Sequence, residues 1–130
     1  MIYLLDTNTC IYLLKNNPPE VAERFAEHHK DEVAISAISW AELCCGLNTR
    51  TAEPILDALR ECVSVLPFDS KAAQIYGELT QKFPNRKGNF DRLIAAHAIA
   101  LDAVLVSNNV ADFKMYDLIV ENWVKVDCSR

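Results

Sequence analysis

Met1-Ile2-Tyr3-Leu4-Leu5-Asp6-Thr7-Asn8 opens the chain and decides its fold. Ile2 to Leu5 is a short, unbroken apolar run rich in strand formers. Such a run suits a strand buried on both faces, as in a parallel sheet. It stops abruptly at three small polar side chains, Asp6, Thr7 and Asn8. A helical pattern follows at once, with Cys10, Ile11, Leu13 and Leu14 on one face. Strand, tight polar turn and helix form the unit around which open α/β sheets bind ligands, at the carboxyl ends of their strands. Asp6 is therefore expected at that edge, facing a crevice. Capping of the helix is the plainer role for Asp6 or Asn8.

The rest of the chain repeats the unit. Asn16-Asn17-Pro18-Pro19 is a break. A helix follows from Glu20 to about Lys30, with Val21, Ala22, Phe25 and Ala26 inward and Glu20, Glu23, Arg24 and Glu27 outward. His28 and His29 near its end are expected as surface partners of the helix dipole. Val33 to Ser36 is a second strand, and a helix from Ser39 to about Leu47 follows it. Another helix spans Ala52 to Glu61, with Pro54 in its first turn. Val63 to Leu66 is a third strand, and Asp69 caps a helix from Ser70 to about Phe83. The basic stretch 84–89 is loop-like. Phe90 to Leu101 is a helix whose later part is apolar all round except for His97, so it lies in the centre, with His97 as a hydrogen-bonded core residue. Ala103 to Val106 is a fourth strand, Val110 to Phe113 a short turn, and Val124-Lys125-Val126 a candidate edge strand. Strands alternating with helices predict an α/β fold, a mostly parallel sheet covered on both faces.

Size and composition narrow the functional classes. A chain of 130 residues, 51% hydrophobic with 3 glycines, is expected to form one domain, 1–130, with a real core. No run reaches the roughly 18 apolar residues of a membrane span, and no secretory leader is visible, so a cytoplasmic protein is expected. Cys10, Cys44, Cys45, Cys62 and Cys128 are odd in number and lack zinc spacing, which fits reduced, partly buried thiols. The net charge of −5 opposes general affinity for nucleic acid. A divalent cation held by clustered acids would reverse that locally.

Four acids stand at element junctions on one side of the expected sheet: Asp6 after strand one, Glu42 in the helix after strand two, Asp91 opening the buried helix, and Asp112 past strand four. Each has a purely structural reading. Ser39-x-x-Glu42 fits a capping box, Asp91 complements a helix dipole, Asp112 suits a turn, and Asp6 suits a cap. Together they suggest one crevice. Two carboxylates about 4 Å apart repel by roughly 4 kcal/mol at an effective dielectric near 20. Bringing four together calls for a hard cation such as Mg²⁺, with Mn²⁺ as a substitute. No nucleophilic triad and no glycine-rich phosphate loop is present.

These residues also resemble a known family. Leu4-Leu5-Asp6-Thr7-Asn8, Ser39-Trp40-Ala41-Glu42-Leu43, Gly88-Asn89-Phe90-Asp91-Arg92-Leu93-Ile94-Ala95-Ala96-His97-Ala98 and Leu105-Val106-Ser107-Asn108-Asn109-Val110-Ala111-Asp112-Phe113 resemble, in order, the motifs of PIN-domain ribonucleases. They are most similar to the VapC toxins of bacterial toxin–antitoxin pairs. The resemblance implies a three-layer α/β/α fold with four to five strands. It implies an endoribonuclease toxin that blocks translation by cutting RNA with metal-activated water, with tRNA as the expected target and the initiator anticodon loop as a candidate site. Asp6, Glu42, Asp91 and Asp112 would be the acidic quartet, Asp6 and Asp91 the most direct metal ligands. Thr7, Ser107 and Asn109 would orient carboxylates or waters. Lys15, Arg50, Arg86, Lys87 and Arg92 are candidate phosphate contacts, or simply solvated charges. Asn108-Asn109 stands where many PIN domains carry another acid, which puts a second metal ion in doubt.

A VapB-type antitoxin would fill the acidic crevice. A homodimer is implied, with a hetero-octamer on operator DNA as a further assembly. Trp40, Cys44, Leu47, Leu56 and Leu59 would offer an apolar outer face, or belong to the core. Two other readings stay open: a Mg²⁺-dependent phosphohydrolase with Asp6 as nucleophile, although Asn8 stands where its second aspartate would be, and a non-catalytic interaction module.

Overall fold

The computed structural model describes residues 1–46, 53–84 and 90–124. The chain runs β1 (Tyr3–Leu5), α1 (Thr7–Lys15), α2 (Pro19–Ala26), β2 (Val33–Ser36), α3 (Ala37–Gly46), α4 (Glu53–Cys62), β3 (Ser64–Leu66), α5 (Ser70–Lys82), α6 (Phe90–Leu101), β4 (Val104–Val106), α7 (Val110–Phe113) and β5 (Val120–Glu121). A 3₁₀ turn, Lys30–Glu32, leads into β2.

The five strands lie in the order β3-β2-β1-β4-β5, and every pairing is parallel. This is the expected parallel sheet with helices on both faces. Leu4 is registered with Ala34 and Leu105, and Leu5 with Ile35 and Val106. Successive strand residues point to opposite faces, so Leu4 and Leu5 enter different cores. Leu4, Ala34 and Leu105 pack with Leu79 of α5, Ile94 and Ala95 of α6, and Phe113 of α7. Leu5, Ile35 and Val106 pack with Cys10 of α1, Val21 of α2, Leu43 of α3 and Leu59 of α4. The unbroken apolar opening run is thus explained: β1 is central and buried on both faces.

The chain builds β1, β2 and β3 outward in one direction, then places β4 and β5 on the other side of β1. The reversal lies between β1 and β4, the place beyond whose carboxyl ends open α/β sheets bind ligands. The backbone locks that edge: Asp6 N–H donates to the Val106 carbonyl at 3.0 Å, and Thr9 Oγ1 donates to the same carbonyl at 3.2 Å.

Several expectations are corrected. The edge strand is Val120–Glu121, two residues paired with β4. Val124 lies past it in a bend, and Lys125 and Val126 fall outside the described residues. His28 is not a surface dipole partner. The α2 helix ends at Ala26, and the His28 ring stacks on Trp123 at 5.3 Å and leans on Tyr3 at 4.2 Å. Leu59 is core, Cys44 is exposed, and Trp40 and Leu56 are half-buried; Leu47 lies outside the described residues. Cys10 is buried, and burial pushes its thiol far up, helped by Asp6. Cys45 and Cys62 are exposed free thiols. His97 is the core histidine expected: it is buried, and its Nδ1 shares a 2.7 Å hydrogen bond with Ser36 Oγ. Burial holds its pKa below the ordinary histidine value, against a weaker upward pull from Asp69 and the Pro67 backbone.

Candidate active site

Asp6 is the first residue past β1, and it is buried, with 6% exposure. It is also the N-cap of α1: its Oδ1 accepts from Thr9 N–H at 2.8 Å. Cap and site are therefore not rival readings. The capping bond fixes one carboxylate oxygen, and the fixed carboxylate then has a defined place at the sheet edge.

Glu42 comes from the helix after β2. The expected capping box with Ser39 does not form. Helix α3 begins at Ala37, so Ser39 is already inside it, and Ser36 instead accepts from Ile38 N–H at 3.0 Å. Ser39 Oγ is buried without a partner among the described residues. Glu42 is held across the crevice by Thr7, whose Oγ1 donates to Glu42 Oε1 at 2.6 Å. This short charge-assisted bond joins the turn after β1 to the helix after β2. The bond fixes the orientation of the Glu42 carboxylate.

Asp91 stands in the first turn of α6, and Asp112 in α7 beyond β4. Ser107, fully buried at the end of β4, accepts from Asn109 N–H at 3.0 Å, and the Asn109 carbonyl accepts from Asp112 N–H at 3.0 Å. Ser107 and Asn109 thus shape the turn that carries Asp112.

The four acids share one field. The Asp91 carboxyl is held above its ordinary pKa, first by burial, then by the charges of Asp112, Asp6 and Glu42. Three charges from three other elements act on one carboxyl, as like charges on a common crevice must. Among the described residues, none of the four forms an ion pair with a Lys, Arg or His; the pairs present are Arg24 with Glu27 and Glu121, and His28 with Glu32.

The basic candidates fare differently. Arg92 is not a phosphate contact. It is completely buried, donating from Nε to Tyr116 Oη at 3.4 Å, from Nη1 to Thr80 Oγ1 at 3.2 Å and from Nη2 to the Phe83 carbonyl at 3.2 Å. It pins α6 to α5 and to the segment after α7. Lys15 is exposed at the far end of the nine-residue α1, about 12 Å along the axis from Thr7 at 1.5 Å per residue. Arg50, Arg86 and Lys87 lie outside the described residues.

Two hollows beside the acids were not anticipated. One, of about 430 Å³, is lined by Ala41, Glu42, Cys45, Gly46 and Phe90. The other, of about 530 Å³, is lined chiefly by Asn108, Asn109, Val110, Ala111, Asp112 and Asn122. Phe90 could have been singled out in the sequence. It precedes Asp91 and falls outside the continuous apolar run of α6, and an aromatic there has no core to enter.

Known proteins share this chain's sequence and fold. The PIN domain family matches residues 3–117. Ribonuclease VapC2 of Rickettsia felis is 37% identical, covering 96% of this chain and 100% of that protein. The tRNA(fMet)-specific endonuclease VapC of Salmonella typhimurium is 34% identical, covering 93% and 97%. The crystal structure of VapBC2 from Rickettsia felis, bound to a DNA fragment from its promoter, superimposes with a TM-score of 0.85 at 36% identity, covering 95% of this chain and 99% of that one. A sheet reversal lined by Asp6, Glu42, Asp91 and Asp112, with the match running over nearly the whole length, places the chain in the PIN-domain family, among the VapC ribonucleases.

Proposed function

We propose that this protein is a Mg²⁺-dependent endoribonuclease toxin that cuts tRNA and is silenced by a VapB-type antitoxin. The observation that carries the reading is the electrostatic convergence of Asp6, Glu42 and Asp112 on Asp91. A cation relieves that convergence, and the donor chemistry fits. The ligands are hard carboxylate oxygens, which suit Mg²⁺ or Mn²⁺ rather than softer metals. Among the described residues, no group of three His, Cys, Asp or Glu side chains is placed to hold a metal ion. Mg²⁺ does not require one: it is commonly held by one or two carboxylates with several waters and substrate phosphate oxygens. Asp6 and Asp91 are the direct ligands in this reading, with Glu42 and Asp112 completing the charge.

When bound, the metal would lower the pKa of a water and offset phosphate charge. The chain's own residues do the rest. Asp6 is held rigid by its cap bond and Glu42 by Thr7. Glu42 or Asp112 takes the proton from the attacking water. Attack in line at phosphorus expels the 3′ oxygen, leaving a 5′ phosphate and a 3′ hydroxyl, with no part for the 2′-hydroxyl. The net charge of −5 repels RNA elsewhere, so affinity depends on the cation.

The tRNA assignment rests on the Salmonella relative's name, and the antitoxin and operator-DNA assemblies on the Rickettsia complex. A homodimer, and a larger assembly with antitoxin on DNA, belong to the same reading. Exposed Ile55 and Cys44 beside half-buried Trp40 and Leu56 support a contact face on α3 and α4. A phosphoenzyme on Asp6 is not favoured, because its Oδ1 is engaged by Thr9 N–H and the residue is buried. The test is cleavage of total tRNA by the purified, partner-free chain in Mg²⁺ or Mn²⁺ against EDTA, with product ends mapped. Metal-dependent cuts with 5′ phosphates, absent in Asp91→Ala, are expected. Intact RNA in every condition, cuts that persist in EDTA, or cyclic phosphate ends would refute it.

A further inference from the structure

We infer that the two hollows flanking the acids are unlike nucleobase subsites, one on each side of the scissile phosphate, with Phe90 as the stacking platform of the first. The inference rests on the nuclease reading above. The sheet order fixes the arrangement: Glu42 follows β2, Asp6 ends β1 and Asp112 follows β4, so along the carboxyl edge Asp6 lies between the other two. The hollow containing Phe90 meets the cluster at Glu42, and the asparagine-lined hollow meets it at Asp112. A strand with its phosphate at Asp6 and Asp91 has its neighbouring nucleosides on these two sides.

Their chemistries differ. Phe90 is 53% exposed, although most large apolar side chains of the described residues are buried or half-buried. It is joined directly to Asp91, so its ring lies within one nucleotide's reach of the phosphate. Ala41, Cys45 and Gly46 offer the ring's surroundings no charge, leaving Glu42 as the polar rim. An aromatic face in a small-residue hollow stacks any base and discriminates little among them. The opposite hollow holds the side-chain amides of Asn108, Asn109 and Asn122. Asn122 is committed to the chain, its Nδ2 donating to Asn108 Oδ1 at 3.1 Å and its Oδ1 accepting from Val124 N–H at 2.9 Å, while the Asn109 side chain makes no capping bond, so Asn108 and Asn109 are the amides that face a base. Amides carry donors and acceptors together and can read a base edge. RNA recognition of this kind uses unstacked single-stranded bases. The structure therefore assigns stacking affinity to the Phe90 side and base choice to the asparagine side.

The test has two arms. In the first, wild type, Phe90→Ala, Phe90→Trp and Asn108→Ala cut total tRNA in Mg²⁺, with KM, kcat and cut sequences measured. Phe90→Ala is expected to raise KM about 10- to 100-fold with kcat nearly unchanged, the cost of one lost base stack. Phe90→Trp should restore KM, and Asn108→Ala should broaden the bases found at the cut. In the second arm, Asp6→Asn protein, with and without Phe90→Ala, binds a single-stranded oligoribonucleotide containing 2-aminopurine, whose fluorescence reports stacking. Loss of the signal in the double variant supports the platform even if no RNA is cut, which would refute the nuclease reading alone. Wild-type cleavage with an unchanged KM in Phe90→Ala overturns the subsite, and leaves the hollow to an antitoxin side chain. No cleavage and no Phe90-dependent signal overturn both. Phe90 is exposed, so its variants should fold, which circular dichroism confirms.

Discussion

Asp91 and Arg92 are neighbours in sequence, yet they belong to two regions that treat charge in opposite ways. Arg92 is sealed in the seam between α5 and α6, and hydroxyls and a carbonyl of the chain itself receive its donors. Asp91 faces the sheet edge, where burial and three other carboxylates make its charge unwelcome, and no cation of the described chain answers it. The seam is internally satisfied and serves stability. The edge holds like charges that no described cation answers, as the proposed cation site requires. Proteins accept such local cost at functional sites.

The sharpest way to break this contrast is Asp91→Asn. Removing the charge should lower RNA cleavage about 10²–10³-fold, the span for loss of a preorganised charged or polar group at a reacting centre. It should also raise the melting temperature in EDTA, because repulsion is relieved. A drop in both would make Asp91 structural. Arg92→Ala should do the reverse. Three stranded partners at about 1–3 kcal/mol each, with lost packing added, should cost at least about 3 kcal/mol by denaturant titration. The KM for RNA should stay unchanged in the folded fraction. An unchanged stability with weakened RNA binding would restore Arg92 to the phosphate contacts.

Thr7→Val probes a smaller effect. It removes the 2.6 Å bond to Glu42 and should reduce activity about 10–100-fold, as groups that orient metal ligands do. Stability should change by only about 1 kcal/mol. The smallest effect is on pH. The folded Asp91 carboxyl has a raised pKa, so between its unfolded and folded values the native state holds more of a proton than the unfolded state. Its contribution to stability therefore grows as pH falls through that window and shrinks as pH rises. In EDTA, wild type should show this slope relative to Asp91→Asn; identical pH profiles would contradict the shift.

What was legible in the sequence follows the same division. The strands β1, β2 and β4 were legible because two-sided burial leaves apolar runs; with β3, a partly exposed edge strand, four of the five matched within about one residue. The acids were legible because strand ends and helix starts are marked by local residue types. Arg92 was misread because its burial depends on Thr80, Phe83 and Tyr116, side chains distant in sequence. His28 was misread because Trp123, its stacking partner, lies at the other end of the chain. The edge strand at Val120 has two residues and one neighbour, too little to imprint a pattern. The Ser39 box satisfied the local motif, but the helix starts earlier and Glu42 finds Thr7 instead. Local chemistry marks the candidate acids, and tertiary contacts such as Thr7 to Glu42 decide how they are held.

Thermal unfolding with and without Mn²⁺ tests most directly the proposal that Asp6 and Asp91 hold a cation, with Glu42 and Asp112 completing the charge around it. Wild type should gain stability as Mn²⁺ rises, by about 2.7 kcal/mol once the ion reaches a hundred times its Kd, a shift of several degrees that EDTA reverses. Asp91→Asn should start higher and gain little. A wild type indifferent to Mn²⁺, or a variant that gains as much as wild type, would contradict the claim.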